Sequence, residues 1–310
     1  MIEVQSLSRF YGTHRAVDNV TFRVGENTVV GLLGLNGAGK TTTLKVIAGL
    51  LTPSSGTVSV DGVDLATASV DFRKQIGFLP ETPPLYTEMS VTEFLRYIGR
   101  LRGMSAEHVE SRIPEVIEKA HLHGYENRLI DELSHGYRKR VGIAQVIIHK
   151  PRLVILDEPI SGLDPKQIVE MREVVRGLST ESTVLVSSHI LSEVQQTCHR
   201  VLVLNNGRLV ADGTPNELAG RIAGATRITF LLSGDREAAE AVFDTLEVVT
   251  HHAFGKTDGG RFQVTVDLAE DQREALVAAL VQAGIGIRVM DDAHDELEEI
   301  FMGLTQGGAA

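Results

Sequence analysis

Cysteine, long apolar runs and positive charge are all scarce in this 310-residue chain, and each scarcity excludes something. A single cysteine, Cys198, rules out an internal disulfide. The opening MIEVQSLSRF alternates in polarity and lacks the basic-then-apolar layout of an export leader. A reducing cytoplasm is therefore the expected compartment. No apolar run approaches the ~18 residues that a membrane-spanning helix needs. Lys and Arg number 30 against 41 Asp and Glu, a formal net charge of −11, which argues against general nucleic-acid binding. The deficit is uneven: residues 221–310 hold 7 basic and 16 acidic side chains, residues 1–220 hold 23 and 25. That asymmetry predicts a domain boundary near residue 220. A hydrophobic share of 43% and a charged share of 23% are those of an ordinary globular protein, here long for one domain and short for three.

The stretch GLNGAGKTT, Gly34–Thr42, carries the most information. It follows the apolar run Thr28–Leu33 and precedes a helix-forming stretch, Thr43–Leu50. It matches G-x-x-x-x-G-K-[ST] through Gly34, Gly39, Lys40 and Thr41. A glycine-rich turn lets backbone N–H groups close around a phosphate, and the following helix adds the positive end of its dipole. Asn36, Gly37, Ala38, Gly39, Lys40, Thr41 and Thr42 are thus candidate nucleotide-binding residues. Lys40 has the reach for β- and γ-phosphates, and the Thr41 hydroxyl suits Mg²⁺.

Alternation and β-branched content predict strands at Ile2–Leu7, Val17–Val24, Thr28–Leu33, Thr57–Val60 and Ile76–Leu79. From about residue 91 to 150 the spacing becomes helical, as in Phe94, Leu95, Ile98 and Leu101. The wholly apolar Leu153–Leu156 predicts a strand buried on both faces of a parallel sheet. Helix Pro165–Leu178, strand Thr183–Ser187, helix Leu191–Cys198 and strand Val201–Leu204 continue a β-α-β alternation. Asn206-Gly207 predicts a tight hairpin turn into Arg208–Val210. After Leu218 the pattern restarts. Strands at Thr226–Leu232, Glu247–His252, Phe262–Val266 and Ile285–Val289 alternate with helices Arg236–Phe243 and Gln272–Ala283. That is the β-α-β-β-α-β order of a ferredoxin-like unit. A last helix is predicted at about Ala293–Leu304. His121/His123 and His251/His252 lack a Cys or carboxylate at zinc spacing and read as solvated.

A second motif, LVILDEP at Leu153–Pro159, ends a hydrophobic strand in two acids. Asp157 is placed where open α/β sheets bind ligands, suited to Mg²⁺, and Glu158 suits a base acting on water. Between the two motifs lies LSHGYRKR, Leu133–Arg140. With these three in order, the chain resembles the ATP-binding subunit of an ABC transporter. The resemblance implies an α/β fold. It would comprise a P-loop NTPase core of ABC type over 1–220, with a helical subdomain near 91–150, then a linker over 221–225. A small C-terminal α+β ferredoxin-like domain would fill 226–310.

The same resemblance implies ATP as substrate, Mg²⁺ as the ion, and hydrolysis to ADP and phosphate. Ser134 and Gly136 match the signature that binds the γ-phosphate of ATP held by a second copy, which implies a head-to-tail homodimer around the nucleotide. Tyr11 matches the aromatic that stacks on adenine, Asp164 in SGLDP a loop facing the partner, and His189 a histidine on the γ-phosphate. Glu158, His189 and Lys40 become the catalytic candidates, and Thr41, Asp157 and Glu81 the metal candidates. Three positions depart from the family: Glu81 stands for a glutamine, His135 for the first signature glycine and Tyr137 for the signature glutamine. The phrases GFLPETPPLY and ELEEIFMGLT resemble a branch that includes gliding-motility-associated and multidrug exporters. That implies a separate membrane permease as partner, a peripheral place on the inner face of the cell membrane, and no nucleic acid. A soluble ABC-type ATPase acting as a regulator or assembly factor is the alternative.

Overall fold

Residues Ile2–Tyr11 (β1) and His14–Val24 (β2) form a long antiparallel ribbon paired from Ile2↔Val24 to Tyr11↔His14. Both strands are longer than their sequence pattern predicts. Register shifts after Val4, Leu7 and Arg9, with left-handed backbone at Ser6 and Asn19, interrupt the in-out alternation on which the prediction rests. The ribbon joins β4 (Ser55–Val60) and β5 (Val63–Asp64) in a sheet ordered β2-β1-β4-β5. The computed structural model describes residues 1–215, 217–218, 226–258, 260–269 and 272–292.

A second sheet contains β3 (Val29–Leu33), β6 (Ile76–Leu79), β7 (Leu153–Leu156), β8 (Thr183–Ser188), β9 (Arg200–Asn205) and β10 (Arg208–Gly213). Their order is β10-β9-β3-β8-β7-β6, parallel except for β10. Every residue of β3, β7 and β8 is buried, which is why these strands read as unbroken apolar runs. Asn206 and Gly207, both at positive φ, make the turn into β10. The connecting helices are α1 (Lys40–Ile47), α2 (Ser69–Lys74), α6 (Pro165–Leu178) and α7 (Leu191–Thr197). Helix α2, unforeseen in the sequence, is only six residues long and buries Phe72 alone. So short a stretch shows no periodicity.

The helical segment resolves into α3 (Val91–Leu101), α4 (Ala106–Lys119) and α5 (His135–Ile147). Each begins at a serine whose hydroxyl accepts from a backbone N–H of the first turn: Ser90, Ser105 and Ser134. Ser90 and Glu93 complete a reciprocal capping box. Asp164 caps α6 by accepting from the Gln167 N–H at 2.9 Å, with Pro165 at the first helical position.

The chain divides into two compact units, Met1–Pro215 and Asn216–Ala310. In the second, β11 (Thr226–Ser233), α8 (Arg236–Thr245), β12 (Val249–Asp258), β13 (Arg261–Leu268), α9 (Arg273–Gln282) and β14 (Gly286–Asp292) follow in β-α-β-β-α-β order. The sheet is antiparallel throughout, ordered β12-β13-β11-β14. Alternate residues of β11 and β13, such as Ile228, Phe230, Val264 and Val266, share one core with Phe243 of α8 and Leu276 and Leu280 of α9. His252 is not the solvated histidine expected: it packs 5.4 Å from the Phe243 ring and 5.7 Å from that of Phe254. The expected linker 221–225 and final helix Ala293–Leu304 lie outside the described residues.

Candidate nucleotide site

Strand β3 sits between β9 and β8, so the loop leaving it opens at the C-terminal edge of the parallel sheet. That loop runs from Gly34 into α1, whose N-cap is Gly39 at φ 101°. A Cβ on Gly39 would stand 2.4 Å from the Ala16 carbonyl oxygen, so the backbone closes here only with glycine. Among the described residues no side chain caps α1, and its first turn holds no acid. The free N–H groups and the dipole's positive end are thus left for an anion. Lys40 is only 6% exposed. Its Nζ donates to the Gly34 carbonyl at 2.7 Å and stands 3.5 Å from Glu158 Oε1.

The acids arrive on β7, three strands from β9. Asp157 is buried, and its Oδ1 accepts from Ser187 Oγ at 2.7 Å and from Thr41 Oγ1 at 3.3 Å. Ser187 Oγ also accepts from the Glu158 N–H at 2.9 Å, so one hydroxyl at the end of β8 fixes both acids. Glu158 itself lies at φ 49°, a left-handed conformation that a glutamate adopts only under constraint. Its Oε2 stands 3.0 Å from His189 Nδ1. The Thr41 hydroxyl and the Asp157 carboxylate are hard oxygen donors side by side, a pair that fits Mg²⁺.

A cleft of about 480 Å³ gathers Tyr11, Asn36, Gly37, Gly39, Lys40, Thr41, Thr42, Glu81, Glu158 and His189 along its walls. Ala38 is buried behind the loop. Tyr11 is largely exposed at the rim, with the Arg9 guanidinium 5.1 Å from its ring centroid. His14, Ala16, Leu35 and Ser161 also line the cleft and were not anticipated. The pairing Tyr11↔His14 explains the first of them, but the ribbon's end was not legible in the sequence.

Besides the buried Ala38 and Asp157, three expected residues stand apart from the cleft's lining. Ser134 caps α5, Gly136 is buried with Gln167 Oε1 only 2.7 Å from where a Cβ would sit, and Asp164 caps α6. The N-termini of α5 and α6 are therefore neighbours. Tyr137 stands where the family has a glutamine and packs through its ring. Its ring stacks on Tyr125 at 4.0 Å, with the Arg140 guanidinium 5.0 Å from its centroid.

The ABC transporter profile matches residues 17–161, the span from the ribbon to the acid pair. The Nod factor export ATP-binding protein I of Cupriavidus metallidurans is 33% identical over 98% of this chain and 97% of its own length. The chain belongs to the ABC transporter ATP-binding family. The bacitracin transport ATP-binding protein BcrA of Bacillus licheniformis is 31% identical over 99% of this chain and 98% of its own length. A solved structure described as the ATP binding subunit of an ABC transporter superposes with a TM-score of 0.64 at 35% identity, covering 71% of this chain and 92% of that one. As an ABC family ATPase, the chain thus carries an ATP-binding core. Among its described residues, no helix is long and apolar enough to cross a membrane.

Proposed function

We propose that this ABC ATPase hydrolyses Mg²⁺-bound ATP in the cleft as a head-to-tail homodimer and so drives a separate membrane permease, in the direction of export. The observation that carries the chemistry is the Glu158 carboxylate, held over the phosphate loop between His189 and Lys40. Tyr11 offers a ring face to adenine, as sequence-tolerant stacking requires. Residues Asn36–Thr42 and the positive end of α1 receive the phosphates, and Lys40 neutralises the β- and γ-groups. Thr41 and Asp157 would hold Mg²⁺, with Glu81 at the cleft wall as a further oxygen donor. The bound ion supplies offsetting charge for the phosphate oxygens. Glu158 takes the proton of the attacking water, and His189 orients that carboxylate and meets the γ-phosphate. The export reading is supported by the name of the Nod factor export relative. On this reading the chain lies peripherally on the cytoplasmic face of the membrane.

Ser134 and Gly136 lie outside the chain's own cleft lining, which supports their service to a second copy, with Asp164 beside them at the shared face. A mixture of Lys40→Ala and Ser134→Arg chains tests this. In a mixed dimer both lesions fall in one composite site and the other site is intact. Partial recovery of ATPase activity is expected over either variant alone. No recovery, with mixed dimers shown to form by sizing, removes the shared site.

The domain division belongs to the same proposal. A fragment ending at residue 225 keeps every nucleotide-site residue, and the remaining residues form a core large enough to fold alone. The fragment should bind ATP with affinity within about twofold of the full chain by calorimetry. Aggregation or loss of binding would show that the two parts share one core.

A further inference from the structure

We propose that Lys139 is a positioning residue for the Glu158 carboxylate and ties it to the helix that carries Ser134, an inference that rests on the catalytic reading above. Lys139 lies in the second turn of α5, and its side chain runs inward until it is 2% exposed. Its Nζ donates to the Glu158 carbonyl at 2.9 Å and to the Ser161 carbonyl at 2.9 Å. These two oxygens bracket the turn that follows β7, and Ser161 itself lines the cleft. A buried ammonium is costly unless its donors are used, and here two of its three go to backbone carbonyls rather than to a carboxylate. Burial pushes the Lys139 ammonium below its usual range, while the charges of Glu81, Glu158 and Glu193 act to hold its proton.

The recipient of this bond is itself strained. Glu158 sits at φ 49°, where few residues with a side chain remain without anchors. Its amide is held by Ser187 from β8, and its carbonyl by Lys139 from α5. The carbonyl also accepts from the Ser161 N–H at 3.3 Å, a longer bond within the same turn. Without Lys139 only that weaker tie holds the carbonyl, and the peptide can rotate enough to move the carboxylate off His189 and off the water it must activate. Because a misplacement of about 1 Å at a reacting group is costly, the loss falls on turnover rather than on nucleotide binding. Among the described residues, the hydrogen bonds of Lys139 go to the Glu158 turn and not to the phosphate loop, so affinity for ATP has no direct dependence on it.

The test uses the full chain with substitutions at Lys139 and at Glu158. Lys139→Met keeps the apolar stem and removes the donors; Lys139→Arg keeps charge and donors. In Lys139→Met, kcat should fall at least about tenfold while KM and calorimetric ATP affinity stay within about twofold. Lys139→Arg should keep at least about a third of the original kcat. Wild-type kcat in a folded Lys139→Met chain overturns the proposal. So does an equal loss in both variants accompanied by a matching loss of ATP affinity, which would mark a merely structural role. If the methionine chain does not fold, Lys139→Gln takes its place, and wild-type kcat there overturns the proposal equally. Glu158→Gln separates the two levels. If it keeps full turnover, the catalytic reading falls and this inference with it. If it is inactive while Lys139→Met is not, only the inference falls.

Discussion

Glu158→Gln lowers ATP turnover at least about a hundredfold and leaves nucleotide affinity within about twofold, as expected for loss of a general base. The amide has the size of the carboxylate and can still meet His189, so the cleft's shape survives. It cannot take a proton from water. It also removes a negative charge 3.5 Å from the Lys40 ammonium, which leaves that cation freer to serve phosphate and does not weaken binding. Unhydrolysed ATP should then hold together the dimer it assembles. In the presence of ATP and Mg²⁺ the variant should run as a dimer on sizing while the parent cycles through monomer. Steady-state measurement of phosphate release decides the first part, and near-normal release would take Glu158 out of its role.

The second large effect is at Lys40. Lys40→Ala should weaken ATP binding by at least about tenfold, or ~1.4 kcal/mol, measured by calorimetry. Two losses combine. The phosphates lose a charge-assisted donor, and the Glu158 carboxylate loses the nearest cation that offsets its own repulsion of the γ-phosphate. The close approach of Gly39 to Ala16 remains, while the loop loses the lysine's bonds to the Gly34 and Leu35 carbonyls. A thermal melt of the variant is therefore read beside the calorimetry, to show that the affinity falls in a folded chain. An affinity equal to that of the parent would reduce the loop to a turn between strand and helix.

How far the site was legible depends on how local each residue's task is. The phosphate loop, Lys40 and Thr41 were readable because a backbone cradle needs glycines at fixed offsets next to a strand and a helix, and all of that lies within one short stretch. Asp157 and Glu158 were readable for the same reason, at the end of a four-residue apolar strand. Ser187 was not. Its hydroxyl fixes both acids, but only because β8 lies beside β7 in the sheet, and a serine ending a strand is common. Lys139 was part of a recognised phrase, yet the pattern could not say that its side chain turns inward to the Glu158 turn. The Tyr137 stack on Tyr125 was hidden for the same reason, since its partner lies before the start of α5 in a segment without periodicity.

The fold divides along the same line. Burial on both faces makes an apolar run, and so β3, β7 and β8 stood out without neighbours being known. The bulged ribbon β1–β2 was legible only over Ile2–Leu7 and Val17–Val24, because the register shifts beyond them reverse which side chains point inward and erase the alternation. By itself the sequence determined the family, the nucleotide-binding chemistry and the identity of most groups in the cleft, since each depends on residue types at fixed short spacing. Tertiary structure decided how those groups stand to one another: which hydroxyl holds the acids, which cation holds the Glu158 turn, and that Ser134 and Gly136 lie away from their own cleft. These are contacts between segments far apart in the chain, and their geometry is set by sheet order and helix packing, which no local pattern encodes.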